Sequence, residues 1–286
     1  MTTARDIGAR LEKRGFGVEY LRAEGALGDS DAYPRTNIVA RIEGDGPGPC
    51  VHFNSHIDVV APGEGWTVDP FGGEIRDGRV YGRGACDMKG GLAASIVAVE
   101  AILDSGIPFP GAIEISGTVD EESGGYAGVA WLAERGYFSQ PRVDHVIIPE
   151  PLYKDAVCLG HRGVWWAEVA VKGRIAHGSM PFLGVSAIRG MGAFIEKVER
   201  ELYPRLEQRR TEMPVIPDAA RQSTLNFNSL HGGLPEQEYA DGFPSALVAD
   251  RCRIVLDRRY LIEENKEDVR DEVVALLEDL QRERPE

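Results

Sequence analysis

The stretch from His52 to Gly91 holds Ser55-His56-Ile57-Asp58 and then Gly82-Arg83-Gly84-Ala85-Cys86-Asp87-Met88-Lys89-Gly90-Gly91. The alternating run Cys50-Val51-His52-Phe53-Asn54 reads as a buried strand. His56 and Asp58 then fall just past its end and on one side, because two residues restore the direction of a strand side chain. Asp58 can accept a hydrogen bond from one ring nitrogen of His56, fixing the tautomer that leaves the other nitrogen for a metal. Asp87 lies in a turn whose glycines, Gly82, Gly84, Gly90 and Gly91, let the backbone approach closely. An imidazole beside a carboxylate, followed by a second carboxylate in a glycine turn, reads as the first half of a metal site. The turn lacks the Gly-Lys-Ser/Thr ending of a phosphate loop.

Outward from this stretch the pattern alternates. Ala4 to Arg14 is helical in spacing, with Gly15 as its stop. Strands are expected at Val18–Leu21, Asn37–Ile42 and Pro49–Asn54, and a hairpin over Gly73–Tyr81 with Asp77-Gly78 as its turn pair. Met88 to Ile102 reads as a largely buried helix, Gly111–Thr118 as a strand, Gly125–Glu134 as a helix and Val143–Ile148 as a strand. Such alternation predicts a three-layer α/β domain with its ligands beyond the carboxyl ends of the strands. Three polar clusters sit at such ends: His56 with Asp58, Asp120-Glu121-Glu122, and Pro149-Glu150-Pro151. From about His161 a half-exposed strand (Val164–Val171), a long amphipathic helix (Val185–Leu206), strands at Ser223–Asn228 and Leu247–Leu256, and a charged helix from about Glu263 predict a small α+β domain. No repeat of solenoid period is present.

Forty-six acidic against 32 basic residues give a net charge of −14 over 286 residues, which argues against a nucleic-acid or anionic-membrane partner. The hydrophobic share of 43% suits a globular core. No window approaches a membrane span and no leader pattern opens the chain, so a cytoplasmic protein is expected. Cys50, Cys86, Cys158 and Cys252 are scattered and read as reduced, buried thiols rather than a disulfide framework. Nothing near Cys86 resembles a cysteine-hydrolase signature.

Adjacent carboxylates at Glu121 and Glu122 repel unless a cation offsets them, and their side chains diverge, so one can hold a metal while the other acts as a base. Glu150, held between two prolines after Val146-Ile147-Ile148, needs a partner, and His177 lies in Gly173-Arg174-Ile175-Ala176-His177-Gly178-Ser179-Met180-Pro181. In order, S-H-x-D, G-R-G-x-x-D-M-K-G-G, D-E-E-x-G-G, P-E-P and G-R-x-A-H-G-S-x-P resemble the M20 metallopeptidase family of acetylornithine deacetylases, succinyl-diaminopimelate desuccinylases and aminoacylases, over essentially the whole chain.

That resemblance implies a three-layer zinc-peptidase-like catalytic domain over residues 1–160, a smaller α+β lid over 161–286 that forms a homodimer, and two Zn2+ ions, with Co2+ or Mn2+ as substitutes. By position, His56 and Glu150 would hold one metal, Asp87 would bridge and Glu122 would hold the second. Asp58 would orient His56, Glu121 would be the general base, and His177 would reach the partner subunit's site to stabilise the oxyanion. Asn226 and Arg259 match substrate-lining lid positions. The substrate would be a small N-acyl amino acid; a di- or tripeptide, or an inactive metal-binding and dimerisation module, are the alternatives.

Two departures qualify the resemblance. The family's last metal-binding histidine and the C-terminal part of its catalytic domain have no counterpart, since His231 matches a lid turn. A deficient second metal site and a poorly active, aggregation-prone chain are therefore expected, with apolar surface exposed on the catalytic domain. Gly160-His161-Arg162-Gly163 lacks the paired arginines of similar desuccinylases, and Ala246 stands where many relatives place asparagine. Arg174, Arg258 and Arg259 are candidates for a substrate carboxylate, which guanidinium forks match.

Overall fold

The computed structural model describes residues 2–152, 155–234 and 246–284. The chain divides into two compact units, Met1–Val157 and Cys158–Glu286. The division falls three residues before the boundary expected at 160/161. Among the described residues no helix is long and apolar enough to cross a membrane.

The first unit is built on a five-stranded mixed sheet formed by β1 (Gly17–Arg22), β2 (Thr36–Glu43), β3 (Cys50–His56), β6 (Ala112–Thr118) and β7 (His145–Ile147), in the order β1-β2-β6-β3-β7. β3 runs parallel to β6 and to β7, with His56 opposite Thr118, whereas β1 and β2 are antiparallel additions. One face is apolar. There α1 (Thr2–Glu12) and α2 (Gly91–Ser105) bury Leu11, Leu92, Ile96 and Val99 against Ala40, Ile113 and Ile115, with Phe53 and Ile57 alongside. A hairpin of β4 (Glu74–Arg76) and β5 (Arg79–Tyr81) turns at Asp77-Gly78, both at positive φ (52° and 71°), as the sequence predicts.

The opposite face of β3 and β6 is buried yet polar. Glu114, entirely enclosed, accepts from Arg41 Nη1 (2.9 Å), pairs with Arg142 Nε (2.8 Å) and lies 3.1 Å from His52 Nδ1. His52 Nε2 is 2.8 Å from Ser116 Oγ, which donates to Asn54 Oδ1 at 2.8 Å. Buried charge persists only when partnered, and these groups partner one another.

Several expected elements differ. β3 continues through His56 instead of ending before it, because the backbone of residues 50 to 56 stays paired with β6 along its whole length. The helix expected from Met88 starts at Gly91, after a π-type turn over Ala85–Gly90 in which Asp87 and Met88 are non-helical, and only one of its faces is buried; Val97 and Ile102 are exposed. The segment expected as a helix over Gly125–Glu134 is kinked at Gly128 (ψ −111°), where a Cβ would lie 1.9 Å from the Val119 carbonyl oxygen, so that only a short α3 (Trp131–Ala133) is regular. β7 is an exposed edge strand rather than a buried one, since nothing among the described residues covers Val146, Ile147 and Ile148.

The second unit is a three-stranded antiparallel sheet in the order β8-β10-β9, made of β8 (Gly163–Lys172), β9 (Thr224–Gly232) and β10 (Arg251–Tyr260). Cys252, Ile254 and Leu256 alternate inward from β10 and meet α4 (Ala187–Lys197) and α6 (Lys266–Glu283) in a core around Met191, Phe194 and Val273. Ser186 Oγ caps α4 by accepting from Arg189 N, and Asn265 Oδ1 caps α6 by accepting from Glu267 N at 2.8 Å. The long helix expected over Val185–Leu206 is interrupted by a π-turn at Val198–Leu202 before α5 (Tyr203–Glu207), because Pro204 supplies no N–H to the helical ladder. His231 lies in β9, opposite Arg253, rather than in a turn. All four cysteines are free; Cys50 and Cys252 are buried, but Cys86 and Cys158 are exposed, contrary to expectation.

Candidate metal centre

Three separate chain segments converge at the carboxyl end of β3. His56, at 1% exposure, presents Nε2 to Asp87 Oδ1 at 3.0 Å, to Glu121 Oε2 at 3.9 Å and to Glu150 Oε1 at 4.0 Å. One ligand atom from each of His56, Asp87 and Glu150 lies within 4.8 Å of the others. The other ring nitrogen, Nδ1, faces the Asp58 carbonyl oxygen at 3.0 Å and its carboxylate at 3.5 Å. A carbonyl can only accept, so Nδ1 carries a proton and keeps it, which leaves Nε2, the nitrogen that faces the carboxylates, as the one a metal would take.

The positions follow from local backbone constraints. Asp87 is delivered by the glycine-bounded turn, with Gly84 at φ 78°. Gly91 opens α2 directly against the chain that carries Glu150. A Cβ there would lie 2.1 Å from the Pro149 carbonyl oxygen, so only glycine allows the two segments this near. The acidic turn is tied in by Asp58, whose carboxylate accepts from the backbone N–H groups of Glu121 and Glu122, each at 3.2 Å.

The electrostatics are those of crowded acids around one base. Burial pushes Glu150 up, Asp87 adds to it, and the carboxyl reaches about 7. Burial and then the neighbouring Asp87 also raise Glu122. Burial disfavours the His56 imidazolium, but Asp58, Asp87 and Glu121 outweigh it and carry the ring to about 9. Burial works against Asp58 too, yet His56 and the two amides hold it below the usual carboxylate range. One imidazole nitrogen and two carboxylate oxygens, with further carboxylates that repel one another, fit a divalent zinc-like cation, which would relieve that repulsion.

Of the residues singled out in the sequence, His56, Asp58, Asp87, Glu121 and Glu150 come together here, and Glu122 adjoins them through the Asp58 carboxylate. His177, Asn226 and Arg259 belong to the second unit. His177 is exposed and its Nδ1 is 2.7 Å from Ser179 Oγ. Asn226 donates to Asn228 Oδ1, and Arg259 is clasped in a two-pronged pair by Asp257 (2.6 and 2.9 Å). Arg258, expected as a candidate for a substrate carboxylate, is out of a ligand's reach. It is fully buried and committed to Glu264 at 2.7 Å and to Ser223 Oγ at 2.7 Å. Arg174 is exposed and donates to the Leu183 carbonyl.

Sequence reasoning overlooked two neighbours. The buried Met88 Sδ accepts from the His56 backbone N–H at 3.1 Å, and Lys89 reaches the Ile57 carbonyl at 3.4 Å. Burial holds the Lys89 amine below the ordinary lysine range, although Asp58, Asp87 and Glu122 oppose that shift. Both residues stood inside the quoted motif; reading Met88 as the start of a helix hid its role.

Comparison with known proteins gives the fold and the family. The chain is 38% identical over 246 residues to the succinyl-diaminopimelate desuccinylase of Gluconobacter oxydans, covering 78% of this chain and 61% of that protein. Human carnosine dipeptidase 1 superposes with a TM-score of 0.70 at 21% identity, covering 99% of this chain and 69% of that one. The M20 family metallo-carboxypeptidase Sso-CP2 of Sulfolobus solfataricus gives 0.69 at 19%, covering 98% and 70%. These structural likenesses establish the fold. The chain thus spans about three fifths of the length of the desuccinylase it matches. Residues 52–285, which carry every motif quoted above, match the description of peptidase family M20/M25/M40, and the chain belongs to that family.

Proposed function

We propose that the chain carries the metal-binding and lid elements of a zinc-dependent amidohydrolase that removes the acyl group from an N-acyl amino acid, in the manner of acetylornithine deacetylases and succinyl-diaminopimelate desuccinylases. The observation that carries this reading is the convergence of His56, Asp87 and Glu150 with Glu121 alongside. His56, Asp87 and Glu150 would hold one metal, and Asp87 and Glu122 would contribute to a second. When bound, zinc supplies Lewis acidity and lowers the pKa of water toward neutrality.

The chain's own residues do the rest. Glu121 takes the proton of the attacking water and returns it to the leaving amine. Asp58 fixes the His56 tautomer and holds the backbone of Glu121 and Glu122. His177 donates to the oxyanion in the partner subunit's site of a homodimer formed through the lid, residues 161–286, and Asn226 and Arg259 orient the substrate. A cytoplasmic setting is part of this reading.

The test is hydrolysis of N-acetyl and N-succinyl amino acids against unblocked dipeptides, with zinc supplied. Acyl release that falls about 10²- to 10⁴-fold in Glu121→Gln is expected. Preferential cleavage of the dipeptides, or activity indifferent to Glu121→Gln, would overturn the assignment.

A further inference from the structure

The acidic turn that presents Glu121 and Glu122 follows β6 and is held from the side opposite β3 and His56 by Arg35, just before β2, and Asn37, within it, neither of which has a part in the metal centre. Asp120 opens the turn at φ 61°, one of two non-glycine residues with positive φ among those described. For backbone reasons alone glycine would serve better there, although aspartate is one of the few side chains that tolerate it. A carboxylate at this position is 9% exposed, and such a group needs a cation. Arg35, at the entry to β2, supplies it with Nε 2.8 Å from Asp120 Oδ1. Two residues on, the wholly buried Asn37 spans the turn with its one amide. Its Oδ1 accepts from the Val119 N–H at 3.1 Å, before the turn, and its Nδ2 donates to the Ala127 carbonyl at 2.9 Å, after it.

Inside the turn the Asp120 carbonyl accepts from Ser123 N (3.1 Å) and Gly125 N (2.6 Å), so the orientation of Asp120 sets that of the following residues. From the other side the Asp58 carboxylate holds the amides of Glu121 and Glu122. The turn thus lies between a carboxylate in front and a guanidinium and an amide behind. Neighbouring carboxylates at Asp87, Glu121 and Glu122 push one another apart, and a hinge free at its rear would swing outward.

We propose that Arg35, through its ion pair with Asp120 and together with Asn37, is a positioning residue that sets the direction of Glu121 and Glu122 toward His56 and Asp87. This rests on the metal-dependent reading of the site given above.

The experiment is a competition titration of the full 286-residue chain with Zn2+ and a chromogenic chelator, with a melting curve for every variant. The set is wild type, Arg35→Met, Arg35→Lys, Asp120→Asn and the Arg35→Met/Asp120→Asn double variant. Groups that orient metal ligands without touching the metal are worth 10- to 100-fold in affinity. Arg35→Met is expected to weaken zinc binding about tenfold. Arg35→Lys should recover most of that loss, and the double variant should be no weaker than the poorer single one. Should Arg35→Met not fold, Asp120→Asn, which keeps shape and tolerates positive φ, carries the same expectation. Wild-type affinity in whichever of these two folds, or a loss that Arg35→Lys leaves unrepaired, would overturn the inference. A wild-type chain that takes up no zinc would instead overturn the metal-dependent reading, and this inference with it.

Discussion

Replacing Glu114 with glutamine tests whether the polar face beneath the metal centre is held together by charge. Glu114 has no exposed surface, and it meets Arg41, Arg142 and His52 at 2.9, 2.8 and 3.1 Å. Glutamine preserves the shape, removes the charge and turns one acceptor into a donor that must face a guanidinium or the His52 ring. Breaking a buried pair from one side costs about 3–5 kcal/mol. Arg41 and Arg142 are each 31% exposed and keep Glu43 and Glu19 as partners, so His52 alone is stranded and the low end, about 3 kcal/mol, applies. For a unit of this size that is a fall in Tm on the order of 10 °C.

The pH dependence separates charge from packing. Burial pushes Glu114 up, but His52, Arg41 and Arg142 more than offset it, so its folded pKa lies below the ordinary value. A group shifted in that direction contributes stability above the unfolded value, about 4.3, and loses it as pH falls through the lower folded value. The gap between wild type and Glu114→Gln should therefore be full at pH 7 and narrow in acid. Scanning calorimetry at several pH values resolves the first unit's transition from the second's. A Tm within about 1 °C of wild type at pH 7, or a gap that persists unchanged in acid, would refute the reasoning.

Other consequences are independent of that network. Gly91→Ala places a methyl group against the Pro149 carbonyl, where a Cβ would sit at 2.1 Å; it should cost about 1–3 kcal/mol and weaken zinc binding by displacing Glu150, as read by melting and chelator competition. Met88→Leu leaves the His56 N–H without its sulfur acceptor and should lower stability by about 1 kcal/mol in urea denaturation. In the second unit, Glu264→Gln leaves the fully buried Arg258 with only the more distant Glu272 (4.0 Å) as a charged partner and should cost about 3 kcal/mol at pH 7. Burial opposes ionisation of Glu264, but Ser223, the Leu261 amide, Arg258 and Arg209 hold its pKa low, so this difference too should shrink below about pH 4.

The motifs around the metal centre were legible because they are local. His56 with Asp58, the glycine turn with Asp87, and Asp120-Glu121-Glu122 each lie within a few residues, and the strand ends of the first unit were placed to within about two residues by alternation alone, whereas β9 and β10 of the second unit end four residues beyond their expected limits. Burial was harder to read. Val146-Ile147-Ile148 has the composition of a central strand, and α2 that of a buried helix, but exposure depends on what other elements cover them. The π-turns before α2 and within the second unit's long helix answer to tertiary contacts and to Pro204, not to hydrophobic period. Arg35 carried no signal at all. An arginine at a strand start looks like any surface charge until β2 is known to lie beside β6, which brings it to Asp120.

The central claim is that His56, Asp87 and Glu150 hold a metal. Its most direct test is bound zinc per chain by elemental analysis, after dialysis against metal-buffered solution, for wild type and Asp87→Ala. At least one equivalent retained by wild type and lost in Asp87→Ala is the result the geometry predicts. A wild-type chain that retains none, or an Asp87→Ala variant that retains as much as wild type, would contradict it.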